Sequence, residues 1–483
     1  MDVAARLDRL PLGRFHRRVV VASGLGWAFD AMDVGLISFA IVAIGNEWQL
    51  SLTERGWVVT AGFAGMFLGA LLSGIFADRF GRKVIFQATL LLYSVATGLS
   101  GLAWGLAALL VFRFLVGLGV GGELPVASTL VSEVSPARHR GRLIVILESF
   151  WAYGWIAAAV IGFYVVRNPD LGWRWAFFLG ALPALYVLYL RRAVPESPRW
   201  LAGVGRTAEA GEVLAAIERE SGVEPGEPMV TAATRPATRP FAERFAELWS
   251  AAYRRRTVML WILWFGIVFS YYGVFTWLPT LLSQRGFNLN GAFRNVLIIT
   301  LAQVPGYFSA AWLVERWGRK PTLVTYLLGS AAAAWLLGNA DQPAVLDPTA
   351  GLVSALGLGW DAKTVAVLLT GSLLSFFNLG AWGVVYTYTP ELYPTATRGT
   401  GAGSAAAFGR LGAILGPYLV PWLLDRQGWT QGAIFAMFMV TFLVVVVAVA
   451  LLGEETRGKA LEQLAAEPGG AVGVREPAHG AAG

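Results

Sequence analysis

The sequence predicts an all-α integral membrane protein: twelve transmembrane helices in two pseudo-symmetric bundles of six. Three observations carry this reading. Apolar runs of span length recur along the chain, polar marks between them repeat once per half, and the cations fall mostly on one side of the resulting topology. The apolar runs lie at about 19–44, 56–77, 84–105, 107–131, 145–166, 173–190, 257–280, 292–314, 321–339, 364–388, 402–424 and 430–452. Each is long enough to cross a hydrocarbon core of about 30 Å at 1.5 Å of rise per residue.

The marks come in two pairs. Asp78-Arg79-Phe80-Gly81-Arg82-Lys83 joins spans 2 and 3, and Glu315-Arg316-Trp317-Gly318-Arg319-Lys320 stands 237 residues later. Each glycine gives a tight turn its backbone freedom. Glu133-x-x-Pro136 followed by Arg140-Gly141 returns as Glu391-x-x-Pro394 followed by Arg398-Gly399, here 258 residues on. The second half therefore holds about twenty extra residues, which fit in the segment 339–363. Repeats this long indicate two halves of one plan.

Threaded from the cytoplasm, the spans place 29 of the 38 Lys and Arg inside and seven in the outer loops, with Arg113 and Arg410 within spans. That bias places both termini in the cytoplasm and the chain in the cell's inner membrane as a multi-pass protein. It also accounts for the net charge of +7 without nucleic acid as a partner. Hydrophobic residues make up 56% of the chain and charged residues 14%, against about 25% charged in soluble domains. Twenty Trp and 57 Gly suit membrane interfaces and close helix approach. The absence of Cys excludes disulfides, thiolate metal sites and Cys nucleophiles.

The expected organisation is an N-terminal basic arm (1–18), a first bundle (19–190), a cytoplasmic linker with short helices (191–256), a second bundle (257–452) and a tail (453–483). Within the linker, 201–220 has a helical pattern and 225–240 reads as Pro- and Thr-rich connection.

The paired loops, together with Arg113-x-x-x-Gly117-x-Gly119-x-Gly121-Gly122 in span 4, resemble the major facilitator superfamily. Pro195-Glu196-Ser197-Pro198-Arg199-Trp200-Leu201 resembles the sugar-porter signature, and Glu454-Glu455-Thr456-Arg457-Gly458-Lys459 that group's C-terminal mark, with Glu454 where Pro is usual. Gly26-Trp27-Ala28-Phe29-Asp30-Ala31-Met32-Asp33-Val34-Gly35 and Tyr271-Tyr272-Gly273-Val274-Phe275-Thr276-Trp277-Leu278-Pro279 are similar to the bacterial niacin permeases. Sugar porters usually carry paired Gln where this chain has Tyr271-Tyr272, which argues against a hexose. The resemblance covers residues 15–462 and implies one substrate site between two bundles.

An ionisable group at bilayer depth costs at least ~2.5 kcal/mol and marks function by default. Asp30 and Asp33 share a face of span 1, Arg113 and Glu123 lie in span 4, Glu148 opens span 5 and Arg410 sits in span 11. Resemblance to proton-coupled sugar porters implies that Asp33 binds the proton and that Arg113 is its partner. The other reading is a static ion pair locking spans 1 and 4. Glu123 and Glu148 suit a relay or helix caps, and Asp30 a hydrating neighbour. Arg410, flanked by Gly409 and Gly412, resembles the span-11 Arg of animal organic-anion transporters, which implies a two-pronged grip on a substrate carboxylate. The other reading pairs it with a protein acid.

Trp27, Tyr271, Tyr272, Trp382 and Tyr386 suit stacking on a flat ring. Gln303 and Asn378 offer hydrogen bonds to a ring nitrogen or a carboxylate. Asp78, Arg82, Glu133, Arg142, Glu196, Arg199, Glu315, Arg319, Glu391, Arg398 and Glu455 match the family's inter-helix salt-bridge network. That network is expected to close the cytoplasmic gate and to break when the cavity opens inward.

The leading functional expectation is proton-coupled uptake of a small aromatic carboxylate, nicotinate first, by alternating access. The working unit is a monomer in the bilayer, and the partners are the organic anion and the proton. A transporter of another solute (a different aromatic acid, a sugar or a drug) and a membrane sensor stand as alternatives. An enzyme is not expected. His16, His139 and His479 form no cluster, and neither a nucleophile elbow nor a phosphate loop is present. No metal or cofactor is expected, and without an ATP-binding motif the driving force is an ion gradient.

Overall fold

The computed structural model describes residues 3–226, 241–357, 359–393 and 397–457. Parts of three expectations lie outside them: the linker from 227 to 240, Pro394, and the tail from 458 onward, including Gly458 and Lys459. Among the described residues, twelve helices are long and apolar enough to cross a membrane. In chain order, spans 1 to 6 are Arg14–Glu47, Leu52–Phe80, Arg82–Gly101, Leu106–Val134, Arg138–Val166 and Gly172–Leu190. Spans 7 to 12 are Arg254–Gln284, Leu289–Trp317, Arg319–Gly338, Ala362–Glu391, Arg398–Arg426 and Gln431–Leu452. The first span begins, and the last ends, at what is called here the terminal face. The opposite face is the distal one.

Backbone-to-backbone contact holds each bundle together. Spans 2 and 4 cross so closely that a methyl on Gly117 would meet the Gly62 carbonyl, and one on Gly121 the Met66 carbonyl. Spans 7 and 11 repeat the device through Gly412 and Gly416. Lipid tails are as apolar as Leu, so such small-residue seams, and not a hydrophobic effect, fix helices in a bilayer.

The repeated loops fold alike. Gly81 (φ 105°) and Gly318 (φ 103°) take a left-handed turn into the next helix. At that turn the Glu196 carboxylate accepts the amides of Arg82 and Lys83 (3.0 and 3.2 Å), and Glu455 accepts those of Arg319 and Lys320 (both 3.0 Å). A carboxylate at a helix N-terminus meets unpaired N–H groups and the positive end of the helix dipole.

Two segments gain detail beyond the sequence expectation. The extra residues of the second half include a helix, Pro343–Leu356, between spans 9 and 10. The basic arm packs against the linker. Val3–Asp8 is helical, with Val3, Leu7 and Leu10 buried. Arg6 grips Glu218 of the linker helix Thr207–Glu220 at 2.9 and 2.6 Å, and Arg9 adds a bond of 2.7 Å. Burial raises the Glu218 pKa, but hydrogen bonds from Arg6, the Gly226 amide and Arg9 outweigh it and hold the group at about 2.

This lock is testable. Glu218→Gln removes the charge shared by both guanidiniums, so trypsin is expected to cleave after Arg9 faster in the variant than in the wild type at neutral pH. The folded-state pKa lies below the ordinary 4.5, so the stabilisation is full above 4.5 and is lost as pH falls toward about 2. Over that window the melting temperature of the wild type in detergent should fall more than that of the variant. Equal cleavage rates and parallel melting curves would show that the arm is held by its apolar side chains alone.

Candidate functional site: a central aromatic cavity

A cavity of about 500 Å³ lies between the two bundles. Trp27 of span 1, Leu124 and Pro125 of span 4, and Glu148 and Trp151 of span 5 line it from the first half. Trp264, Tyr271 and Tyr272 of span 7, Tyr307 of span 8, Trp382 and Tyr386 of span 10, and Arg410 of span 11 line it from the second. Helical spacing selects the liners: Glu148 and Trp151 stand three apart, Trp382 and Tyr386 four apart. The wall continues through Ser128, Ile144, Thr389, Pro390, Ala402 and Gly403, close to the terminal-face ends of their spans. Towards the distal face it is shut. Phe39 packs edge-on against Phe293 at 5.1 Å, Thr53 donates to Asp425 at 2.7 Å, and Gly56 abuts Pro421.

The rings form a fixed surface. Trp382 and Tyr386 stack at 5.7 Å, and Trp264 meets both edge-on at 5.8 and 5.3 Å. Trp151 donates its indole N–H to the Tyr271 hydroxyl at 3.0 Å. The indole N–H groups of Trp27 and Trp382 have no acceptor among the described residues. Two charged side chains line the cavity, Glu148 and Arg410. Neither makes an ion pair or a hydrogen bond among the described residues.

Seven of the thirteen residues expected in the membrane thus line the cavity: Trp27, Glu148, Tyr271, Tyr272, Trp382, Tyr386 and Arg410. Gln303 and Asn378 do not. Each is fully buried one turn to the distal side of a liner, Tyr307 and Trp382 respectively, where the cavity has already closed. Tyr307 and Trp264 are liners that the sequence reading missed. Their signal was present, since Tyr307 follows Gln303 by four residues and Trp264 precedes Tyr271 by seven.

Asp33 and Arg113 are 2% and 3% exposed and pair at 3.3 Å. Thr97 donates to Asp33 at 2.6 Å, Arg113 donates to Ser100 at 3.0 Å, and its guanidinium lies over Phe177. The pair borders a recess of about 30 Å³ between spans 1, 2 and 4, not the central cavity. Asp30 and Glu123 lie between, fully buried, with no hydrogen-bond partner to either carboxyl among the described residues. Trp27, Asp30 and Asp33 follow one face of span 1 at three-residue steps, from cavity to pair.

The terminal-face charges form two matching triads. Arg82 pairs with Asp78 (2.7 Å) and Glu133 (3.2 Å), and Arg319 with Glu391 (3.0 Å) and Glu315 (3.7 Å). Arg199 donates to the Glu133 carbonyl, and Arg398 to the Tyr393 carbonyl. Arg142 is exposed, with no partner among the described residues. Each triad lies within one bundle and is formed while the cavity opens to that face. The pairs expected of a cytoplasmic gate thus join helices of the same half. They brace the tight loop to span 4 or to span 10 of their own half.

A cavity at the midline of two six-helix bundles, open to one face and shut to the other, defines a membrane transporter of the major facilitator type. The chain belongs to the sugar (and other) transporter family, whose model matches residues 25–467. It is 47% identical to the niacin transporter NiaP of Acinetobacter baylyi, over 96% of this chain and 100% of that one. It is 46% identical to a putative niacin/nicotinamide transporter NiaP of Bacillus subtilis (92% and 98%). It is 31% identical to organic cation/carnitine transporter 7 of Arabidopsis thaliana (94% of each). Among solved structures, the partially occluded inward-open xylose transporter XylE of E. coli matches with a TM-score of 0.70 at 18% identity, over 93% and 100% of the chains. At that identity the likeness concerns the fold.

Removing a triad should spare the cavity. Asp78→Asn and Arg82→Ala are expected to slow transport while equilibrium affinity for the substrate stays at the wild-type value, since neither residue lines the cavity. Lost affinity with normal turnover per bound substrate would place these residues in the binding site instead.

Proposed function

We propose that this protein is a secondary transporter that takes up nicotinate, or a closely related small aromatic carboxylate, by alternating access coupled to protons. The observation that carries this reading is Arg410: a half-buried guanidinium in an aromatic cavity with no protein partner among the described residues. A charge so placed is costly unless an anion meets it, and a guanidinium grips a carboxylate through two parallel hydrogen bonds. The indole N–H groups of Trp27 and Trp382 offer further donors, and the stacked Trp382 and Tyr386 a face for a flat ring. One bacterial relative at 47% identity is named for niacin, and the other, at 46%, for niacin or nicotinamide. The ring-lined wall is poor in the amides and carboxylates that would read the hydroxyls of a sugar.

The distribution of cations supports a cytoplasmic terminal face in the inner membrane. On that assignment the structure is inward-facing, and the triads brace the two bundles that rock about the site. Asp33 is the proposed proton carrier and Arg113 its partner. A carboxylate whose ion pair opens and closes during the cycle takes up and releases a proton in step.

Two measurements test these assignments. For the substrate, Arg410→Lys is expected to bind nicotinate about tenfold to a hundredfold more weakly, the cost of about one charge-assisted hydrogen bond. Arg410→Ala should be nearly inactive, and the neutral amide nicotinamide a poor ligand throughout. Nicotinamide binding as tightly as nicotinate, or normal binding by Arg410→Ala, would rule the role out. For coupling, Asp33→Asn in proteoliposomes should abolish accumulation driven by a pH gradient while counterflow exchange persists. Wild-type accumulation would show that Asp33 does not carry the proton.

A further inference from the structure

The cavity carries two lone charges, and the Arg410 reading uses only one. Glu148 stands in the wall from span 5, opposite in sign to Arg410 and from the other bundle. It is 4% exposed. The titratable groups that line the cavity with it are Tyr271 and Tyr272 of span 7, Tyr307 of span 8, Tyr386 of span 10 and Arg410 of span 11. None of them is hydrogen-bonded to it or paired with it in the structure. A buried carboxyl without a partner carries the same penalty as a buried guanidinium without one. Both penalties fall together if one ligand spans the pair, with an anionic group at one end and a hydrogen-bonding nitrogen at the other.

We propose that Glu148 holds the ring nitrogen of an N-heteroaromatic acid through one shared proton, while Arg410 holds its carboxylate. The assignment rests on the Arg410 reading and deepens it: the substrate class becomes pyridine carboxylates rather than aromatic acids at large. Two protonation states give the same contact. A neutral Glu148 donates its O–H to the pyridine nitrogen, or an ionised Glu148 accepts from the pyridinium N–H. In either state the ligand and Glu148 together hold one proton more than free nicotinate and an ionised Glu148. Binding from that state therefore takes up one proton at the site itself. The ring nitrogen contact expected of Gln303 or Asn378 falls to Glu148, which lines the cavity where they do not. A site built to hydrogen-bond a nitrogen rejects an analogue with C–H there, because its own polar group is left unpaired.

The test is calorimetric titration of the full-length protein in detergent with nicotinate and with benzoate, the same acid lacking the ring nitrogen. Two buffers of different ionisation enthalpy count the protons taken up, and Glu148→Gln and Glu148→Ala are run beside the wild type. The wild type is expected to prefer nicotinate over benzoate by at least about tenfold, as for one hydrogen bond to a charged group. Glu148→Ala should bind both acids alike. Glu148→Gln, whose amide N–H still donates but does not titrate, should keep the preference and lack whatever proton uptake the wild type shows at this carboxyl. Glu148→Gln is nearly isosteric and serves as the second readout if the alanine variant does not fold. An unchanged preference in Glu148→Ala, or a wild-type uptake of about one proton that persists in Glu148→Gln, would overturn the assignment. Equal binding of both acids by the wild type would overturn it too, while leaving the Arg410 carboxylate contact standing. Failure of both acids to bind would remove the carboxylate reading and this one with it.

Discussion

A charge in the low-dielectric interior of a membrane protein must be answered by something, and this structure answers its charges in two ways. Asp33 and Arg113 answer each other, with Thr97 and Ser100 filling the remaining hydrogen-bond positions and Phe177 beneath the guanidinium. Arg410 and Glu148 have no such answer from the described residues, and both line the same cavity. The rest of the site follows from that difference. Residues satisfied inside one bundle belong to its architecture or to an ion it carries. Residues left open between bundles need a ligand. The aromatic wall strengthens the need, because it replaces water around both charges with rings that cannot solvate them fully.

For such a site to alternate, the bundles have to be stiff and the seam between them soft. The glycine contacts of spans 2 and 4 and of spans 7 and 11 set helix backbones against one another, leaving no side-chain layer to repack. The triads around Arg82 and Arg319, and the carboxylates of Glu196 and Glu455 at the two glycine turns, tie the terminal-face ends in the same way in each half. By contrast, the distal closure includes the ring contacts of Phe39 with Phe293, Phe63 with Tyr272 and Trp155 with Phe275, a hydroxyl–carboxylate hydrogen bond and a glycine–proline contact.

Much of this was legible in the sequence, and the misses share a cause. The spans and the two halves were visible because hydrophobic length and a repeat of 237 residues need no partner to be recognised. Arg410, Glu148 and five aromatic liners were visible because an ion or a ring cluster within an apolar run is rare. Depth was not visible. Gln303 and Asn378 lie one turn beyond the cavity roof, and a helical register says which face a residue occupies but not where along the axis the facing bundle closes. Long-range pairing was not visible either. The arm 1–18 reads as a basic tail until Glu218 is placed against Arg6 and Arg9, about 210 residues away. An inter-helix salt-bridge network was expected from the charges, but charge type alone does not say which helices a pair joins.

On the proposed reading, the proton and the substrate bind about two helical turns apart on span 1, with Asp30 between them. Separation has a physical use. A proton at Asp33 weakens its attraction to Arg113 and so changes the packing of spans 1 and 4, whose far ends hold Trp27 and Leu124 in the cavity wall. The effect of protonation thus reaches the site as a shift of two wall helices, without a proton having to arrive there. Asp30 and Glu123 lie buried between the two, with no hydrogen-bond partner to either carboxyl among the described residues. Glu148 belongs to neither pair and faces the ligand alone. Coupling by Asp33 and proton uptake at Glu148 are therefore separable, and losing one need not abolish the other.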